Sequence, residues 1–172
     1  GALTTRRNWQ WFGLANSQAL SLNTLYQLTL FQRVVIHTGQ PAEKLLHYLE
    51  LVNALPATLT PEDLRLVRDS AATQLAAVLK WSVREVLECI LYLSPTMPVV
   101  SDLAALDAVL RIRALATHSG LDARAIICLG SLMPSSDKQA YREAAEHVLE
   151  SLSNCAIQGQ VQEIGEVGQS VT

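Results

Sequence analysis

The stretch SDLAALDAVLRIRALATHSGLDARAIICL, residues 101–129, decides the fold of this chain. Its large aliphatic residues recur at intervals of roughly three to four positions, which places them on one face of an α-helix. The residues expected on that face are Leu103, Leu106, Leu110 and Leu115. The pattern predicts a long amphipathic helix over the first two thirds of the stretch.

The ends of this helix carry recognisable signals. A short side-chain oxygen at Ser101 or Asp102 can accept hydrogen bonds from the free backbone N–H groups of the first turn. Gly120 can adopt the left-handed conformation that ends a helix. Asp122 then caps a second, shorter apolar helix that ends near Leu129. The stretch therefore predicts a helical hairpin with a glycine at its corner.

The same arrangement of long helix, corner and short helix recurs at intervals of about 40 residues. Aligning Gly39, Trp81 and Gly120 as corners gives offsets of 42 and 39 residues. In helical-repeat arrays, each amphipathic pair buries its apolar face against the next pair. In this register three apolar residues of the short helices are expected to be buried at equivalent places: Leu45, Leu87 and Ile126. The alternative is coincidence, because any leucine-rich helical sequence aligns fairly well with itself.

The predicted fold is all-α, with about three stacked αα hairpins of about 40 residues, a C-terminal helix and an irregular tail. Residues 1–19 form an N-terminal aromatic segment, and residues 20–154 form the helical repeat domain. Residues 155–172 are rich in glycine and alternate weakly in hydropathy, which indicates a tail or linker, or a strand whose neighbours lie outside this chain.

The N-terminal segment brings three aromatic residues close together: Trp9, Trp11 and Phe12. They either belong to a helix whose core partners lie upstream or dock on the first repeat. A carbohydrate or membrane anchor is a weaker alternative. The chain starts at Gly1 without a methionine, as expected of an excised segment, and its start lacks the charged-then-apolar order of a signal peptide.

Composition narrows the classes of function. Hydrophobic residues make up 49% of the 172 residues and charged residues only 17%, and the mean hydropathy is +0.20. Either much of the surface meets a partner or the chain is a piece of a larger protein; the alternative is a Leu- and Ala-rich helical core. With a net charge of −3 and no dense Lys/Arg cluster, no nucleic-acid partner is expected. Because no run of about 18 uninterrupted apolar residues occurs, no single-helix membrane span is expected either.

No catalytic, cofactor-binding or metal-binding residue is predicted, and no cofactor is expected. Cys89, Cys128 and Cys155 lack the spacing of a metal site and are interpreted as small buried hydrophobic residues. His37 and His118 each lie two residues before a corner, where the helix dipole favours a partly charged imidazole, so they are interpreted as structural. The chain is therefore not predicted to be an enzyme.

Two segments of the first repeat resemble a known family: LSLNTLY at residues 20–26, which opens a helix, and HTGQPAEKLL at residues 37–46. They are similar to the helical shell repeats of the A component of bacterial insecticidal toxin complexes. Those repeats combine a helix that begins Leu-Ser-x-Leu-Tyr, a Gly-Leu-Ser/Thr corner, and an acidic residue followed by Leu-Leu. The corner sequences at residues 81–87 and 119–123 are similar to the corner of that family's repeats. The resemblance covers about residues 20–130, and it departs from the family at Gln40-Pro41 and at Trp81, which replaces the corner glycine.

The resemblance implies a non-enzymatic segment of a large pore-forming toxin subunit. In that family the helical shell surrounds a central channel and the subunit is a homopentamer, while B and C components supply the toxic enzyme. The implied partners are other segments of a larger chain, further copies of the subunit and these toxin components, and the implied location is secreted or at the bacterial cell surface. Two alternatives remain: an independent α-helical scaffold that binds another protein between its repeats, and a secreted helical effector acting on a host protein.

Overall fold

The computed structural model describes residues 21–169 of the chain, with side chains described for residues 21–159. Every regular element in the described range is an α-helix, which confirms the predicted all-α class. The helices are α1 (Leu22–Thr38), α2 (Ala42–Asn53), α3 (Pro61–Leu79), α4 (Val83–Leu93), α5 (Leu103–Ser119), α6 (Ala123–Gly130) and α7 (Lys138–Gln169). The aromatic cluster Trp9, Trp11 and Phe12 lies outside the described residues.

Three corners join a long helix to a short one with the same backbone geometry. The corner residues Gly39, Lys80 and Gly120 have positive φ angles of 60°, 51° and 71°. At each corner the backbone N–H donates to the carbonyl four residues earlier, and the acceptors are Val35, Ala76 and Ala116. The predicted glycine corners at positions 39 and 120 are confirmed.

The second corner lies at Lys80 and not at Trp81, so the predicted register is wrong there by one residue. Glycine normally marks a left-handed position, and a lysine that takes this conformation leaves no signal in the sequence. With Lys80 as the corner, successive corners lie 41 and 40 residues apart. Each short helix then begins three residues after its corner, following Pro41, Ser82 and Asp122. The recurring hairpin is more regular than the sequence alignment indicates.

The correction also changes which residue of the second short helix is expected to be buried. Leu45 is buried as predicted, whereas Leu87 and Ile126 are only half-buried. In the corrected register the residue equivalent to Leu45 is Val86, which is 0% exposed. In the second hairpin, counting from Lys80 instead of Trp81 therefore identifies the buried residue.

Local hydrogen bonds explain where the short and long helices begin. The side chains of Thr60, Ser82 and Asp122 each accept from the backbone N–H three residues later, at the starts of α3, α4 and α6. Asp102 does the same for α5, where its Oδ1 lies 2.8 Å from the backbone N of Ala105. These caps satisfy N–H groups that no helical carbonyl can reach.

The apolar face predicted for α5 is correct over its first half only. Leu103, Leu106 and Leu110 are buried, but Leu115 is 56% exposed. A helix turns about 100° per residue, so twelve residues after Leu103 the side chain points about 120° away from it. At position 115 the leucine therefore no longer lies on the buried face of the helix.

The chain divides into two compact units, the first ending at Arg111 and the second starting at Ile112. In the first unit α3 packs against both α4 and α2. The hydroxyl of Tyr48 on α2 donates to the carbonyl of Val100 at 2.8 Å, and the Asn53 amide donates to the carbonyl of Ser101 at 2.9 Å. The first hairpin therefore contacts the start of the third directly, which departs from a linear stack in which each repeat contacts only its neighbours.

In the second unit α6 packs against α7. The backbone N–H of Asp122 donates to the hydroxyl of Ser151, which is 4% exposed, across 2.7 Å. The predicted irregular tail is wrong for residues 155–169, which continue α7 as a helix. Gly159 lies 39 residues after Gly120, near the next corner position, but position 161 holds Val where the earlier corners have Pro, Ser or Asp. Without a capping residue or a proline, helix continuation is favoured over a new corner.

The corner geometry predicts opposite effects for the same substitution at two glycines. Gly39→Ala is expected to lower the free energy of unfolding by about 1–2 kcal/mol, because alanine resists the left-handed conformation although nothing lies within 4 Å of its added Cβ. Gly159→Ala, inside α7 and also free of neighbours within 4 Å, is expected to raise it by about 0.5–1 kcal/mol. Urea titrations followed by circular dichroism measure both, and equal signs for the two variants would contradict the corner assignment.

Candidate interaction surface

An open groove runs between α2 and α3. It consists of two adjoining cavities of about 250 and 490 Å³, both lined in part by Leu51 and Gln74. The apolar end is lined by Leu51, Val52 and Leu55 on one side and Leu66 and Val67 on the other. Lys44 and His47 lie at the opposite, more polar end. We refer to this feature as the α2–α3 groove.

Large apolar side chains remain open to solvent along the α2–α3 groove. Leu51 is 43% exposed and Leu66 is 58% exposed. Small-molecule sites are usually concave and place a few polar groups so that they converge on a ligand. This groove is shallow, and its aliphatic lining suits the side chains of another polypeptide segment, as in the binding of a helix to a groove.

A second apolar surface covers the outer side of α1. Its exposed residues are Leu22 (84%), Leu25 (46%), Tyr26 (57%) and Ile36 (69%). The opposite side of the helix carries Leu30, Phe31 and Val34, which are buried. The helix is therefore apolar on two sides, and only one of them is covered by the described residues.

A buried carboxylate links α1 to α5. Asp107 is 3% exposed and receives two hydrogen bonds from the guanidinium of Arg33, both of 2.8 Å. Arg111, one turn further along α5, donates through Nε at 2.9 Å and through Nη2 to the same carboxylate. Burial on its own raises the pKa of Asp107, but the hydrogen bonds and charges of Arg111 and Arg33 outweigh it, so the pKa lies below its ordinary value.

Two further side chains with shifted pKa values, Tyr48 and Cys89, each stay in one protonation state. Burial raises the pKa of Tyr48 well above its ordinary value, against the smaller opposing effect of its hydrogen bond to Val100, so the hydroxyl stays protonated and donates. Burial, with the nearby charges of Glu85 and Glu88, raises the pKa of the Cys89 thiol to about 12. A thiol with so little thiolate is a poor nucleophile.

The remaining residues singled out in the sequence are dispersed. His37 and His118 are exposed in the last turns of α1 and α5. Cys89 is buried as predicted and Cys128 is half-buried, but Cys155 is exposed, so the interpretation as a buried hydrophobic residue is wrong for Cys155. Within the part of the chain that the structure describes, no group of three or more His, Cys, Asp or Glu residues is arranged to hold a metal ion.

Sequence reasoning missed the buried carboxylate altogether. Asp107 and Arg111 do have the i,i+4 spacing of a helical ion pair, and Asp107 directly follows Leu106 on the apolar side of α5. An acidic residue beside the predicted core face was the available signal. The second partner, Arg33, lies 74 residues away and could not be identified without the fold.

Comparisons with protein-family models, with curated protein sequences and with solved structures find no match for this chain. Among the helices described, none combines the length and the apolar character needed to cross a membrane.

Proposed function

We propose that this chain is a non-enzymatic helical segment of a large protein, where its exposed apolar faces pack against other segments and subunits. The observation that carries the proposal is the recurring corner at Gly39, Lys80 and Gly120, with intervals of 41 and 40 residues. Repeated hairpins form extended structures because each one leaves an apolar face for the next.

A structural role is supported by the state of the buried polar groups. Shifted pKa values often mark catalytic sites. Here Asp107 accepts hydrogen bonds from two arginines, Tyr48 donates to a backbone carbonyl and the Cys89 thiol is buried. Burial explains the shifts of Tyr48 and Cys89, and the two arginines explain that of Asp107, so each group stays in one protonation state near neutral pH.

The exposed apolar faces at both ends of the described range support packing against further protein. At the N-terminal end, Leu22 and Ile36 of α1 are 84% and 69% exposed. At the other end, Leu149 and Ile157 of α7 are 65% and 59% exposed. An α7 of 32 residues spans about 48 Å, whereas the 8 residues of α6 span about 12 Å, so α6 can cover only a part of it.

The large protein proposed is the A-type subunit of a bacterial insecticidal toxin complex. Support comes from the resemblance of residues 20–26 and 37–46 to the shell repeats of that family, and from the location of both segments at a helix start and a corner. On this proposal the subunit is a secreted or surface-attached homopentamer that forms a pore and works with B and C components. The segment itself contributes shell structure and contacts, and no catalytic residue.

The length of the parent reading frame tests this proposal most directly. We expect it to encode more than about 1000 residues, well beyond a single domain. We further expect the purified parent protein to have five times its chain mass by light scattering. A parent frame that contains little more than this chain, or a monomeric parent protein, would overturn the assignment to a toxin subunit.

The α2–α3 groove favours one other function, an independent scaffold that binds a protein partner. In that case Leu66→Glu, within the groove, is expected to abolish capture of one discrete protein from a lysate. Leu115→Glu, a similarly exposed leucine outside the groove, serves as the matched control. Loss of capture in both variants, or in neither, would contradict specific binding in the groove.

A further inference from the structure

The two ends of the α2–α3 groove differ in their chemistry. Leu51, Val52 and Leu66 line the apolar end, where Leu66 stays 58% exposed although α2 packs against α3. Lys44 and His47 line the other end, and both residues are exposed. Among the described residues that line the groove, Lys44 is the only one with a permanent charge. The groove therefore combines an open apolar surface with a positive charge at one end.

The ammonium group of Lys44 has a neutral partner. It donates to the side-chain oxygen of Gln40 across 3.5 Å, which is long for a hydrogen bond. Glu43 precedes Lys44 in the chain, but successive residues of a helix point about 100° apart, and Glu43 does not line the groove. An acidic group that enters this end of the groove from outside therefore meets an attractive charge.

The groove has the length of a short helix. Val78, at the Lys44 end, follows Leu66 on the same helix by twelve residues, which corresponds to about 18 Å or about three turns. The N–H and C=O groups of an extended segment need hydrogen-bond partners that aliphatic walls do not supply. A helix bonds its own backbone groups and can present apolar side chains to a groove at positions i, i+4 and i+7. Length and lining both favour a helical occupant.

We propose that the α2–α3 groove binds an amphipathic helix of another polypeptide, with its apolar side chains between Leu51 and Leu66 and an acidic side chain beside Lys44. Burial of the apolar side chains drives the association. The charge of Lys44 selects the partner and its direction in the groove, because complementary charges contribute more to specificity than to affinity. The inference rests on the proposed function, in which further protein covers the exposed apolar faces, and it names the chemistry of that protein at one face.

Selection from a phage-displayed library of random peptides on the full chain tests the proposal. Peptides of about 15 residues are long enough for three helical turns. We expect the selected peptides to share apolar residues at helical spacing and an Asp or Glu near one end. Leu66→Glu is expected to eliminate this class of peptide, because it places a charge in the apolar end. Selected peptides without the acidic residue or with the alternation of a strand, or a selection that does not depend on Leu66, would overturn the proposal.

Reversal of the charge at position 44 tests the role of Lys44. Lys44→Glu is expected to weaken the binding of a selected peptide at least about fivefold, and to strengthen that of the same peptide with Lys in place of its acidic residue. Fluorescence anisotropy of the labelled peptides measures both affinities. Position 44 is exposed in the first turn of α2, where a carboxylate suits the helix dipole, so the variant is expected to keep its fold.

Lys138→Glu, at the exposed start of α7, is the matched control and is expected to leave both affinities unchanged. Equal effects of the two charge reversals would overturn the role of Lys44. If Leu66→Glu abolishes peptide binding but Lys44→Glu does not change the affinities, the groove binds protein, as the proposed function requires, and the acidic partner is wrong.

Light scattering separates this occupant from a second copy of the chain. Without peptide we expect the mass of a single chain, and with a selected peptide we expect no change other than the added peptide. A dimer that dissociates when the peptide is added would assign the α2–α3 groove to contacts between copies and overturn the binding of a different polypeptide. None of these measurements depends on a toxin subunit, so their outcome is separate from that of the parent reading frame.

Discussion

Leu106→Ala is expected to lower the free energy of unfolding by about 2–5 kcal/mol. Leu106 is 0% exposed, and its neighbours on the same face of α5, Leu103 and Leu110, are 1% and 6% exposed. Truncation to alanine removes apolar contacts that were shielded from water, and the packed surroundings close the resulting cavity only in part. Urea titration followed by circular dichroism measures the loss.

Leu115→Ala supplies the matched control, because it is the same substitution in the same helix. The sequence places both leucines on one apolar face, whereas the structure leaves Leu115 56% exposed. Its replacement is expected to change the free energy of unfolding by no more than about 0.5 kcal/mol. Equal losses for the two variants would support the apolar face predicted from the sequence and contradict the observed exposure of Leu115.

Local signals account for what the sequence predicts well. The caps at Thr60, Ser82 and Asp122 and the left-handed glycines at positions 39 and 120 depend on residues within one turn, so their chemistry is visible in the sequence. A corner without a glycine has no such signature. This is why Lys80, which adopts the left-handed conformation, was missed in favour of Trp81.

Contacts between distant segments account for what the sequence does not predict. The bonds from Tyr48 to Val100 and from Asn53 to Ser101 connect the first hairpin to the third, and the repeat alone predicts only contacts between neighbours. The α2–α3 groove likewise depends on the spacing between two helices. Periodicity identifies which faces of the helices are apolar, but it does not determine which of those faces are covered.

Asp107→Asn is expected to lower the free energy of unfolding by about 1.5–3 kcal/mol near neutral pH, the range for hydrogen bonds to charged groups. The substitution keeps the size of the side chain but removes the charge that Arg33 and Arg111 share. The side chains of Arg33 and Arg111 are 46% and 72% exposed, so their charges can be rehydrated when the carboxylate is lost. The expected loss is therefore smaller than that for leaving a charge buried without a partner.

The pH dependence of this loss follows from the direction of the pKa shift. The pKa of Asp107 is lower in the folded state than in the unfolded state, where it is about 3.9. Its ionised form therefore stabilises the fold fully above the unfolded pKa, and the stabilisation disappears as the pH falls through the folded pKa. The difference in stability between the natural protein and Asp107→Asn is expected to be constant from about pH 7 to about pH 5 and to shrink below about pH 4.

Urea titrations of both proteins across this pH range measure the difference, and Asp69→Asn is the matched control. Asp69 also pairs with an arginine, at 2.8 Å from Arg68, but its side chain is 53% exposed. An exposed pair contributes only about 0–1 kcal/mol, so this variant is expected to change stability little at any pH. If the Asp107→Asn difference persisted undiminished under acidic conditions, size and shape at position 107 would explain it. If it shrinks as expected, the ionised carboxylate between Arg33 and Arg111 is what joins α1 to α5.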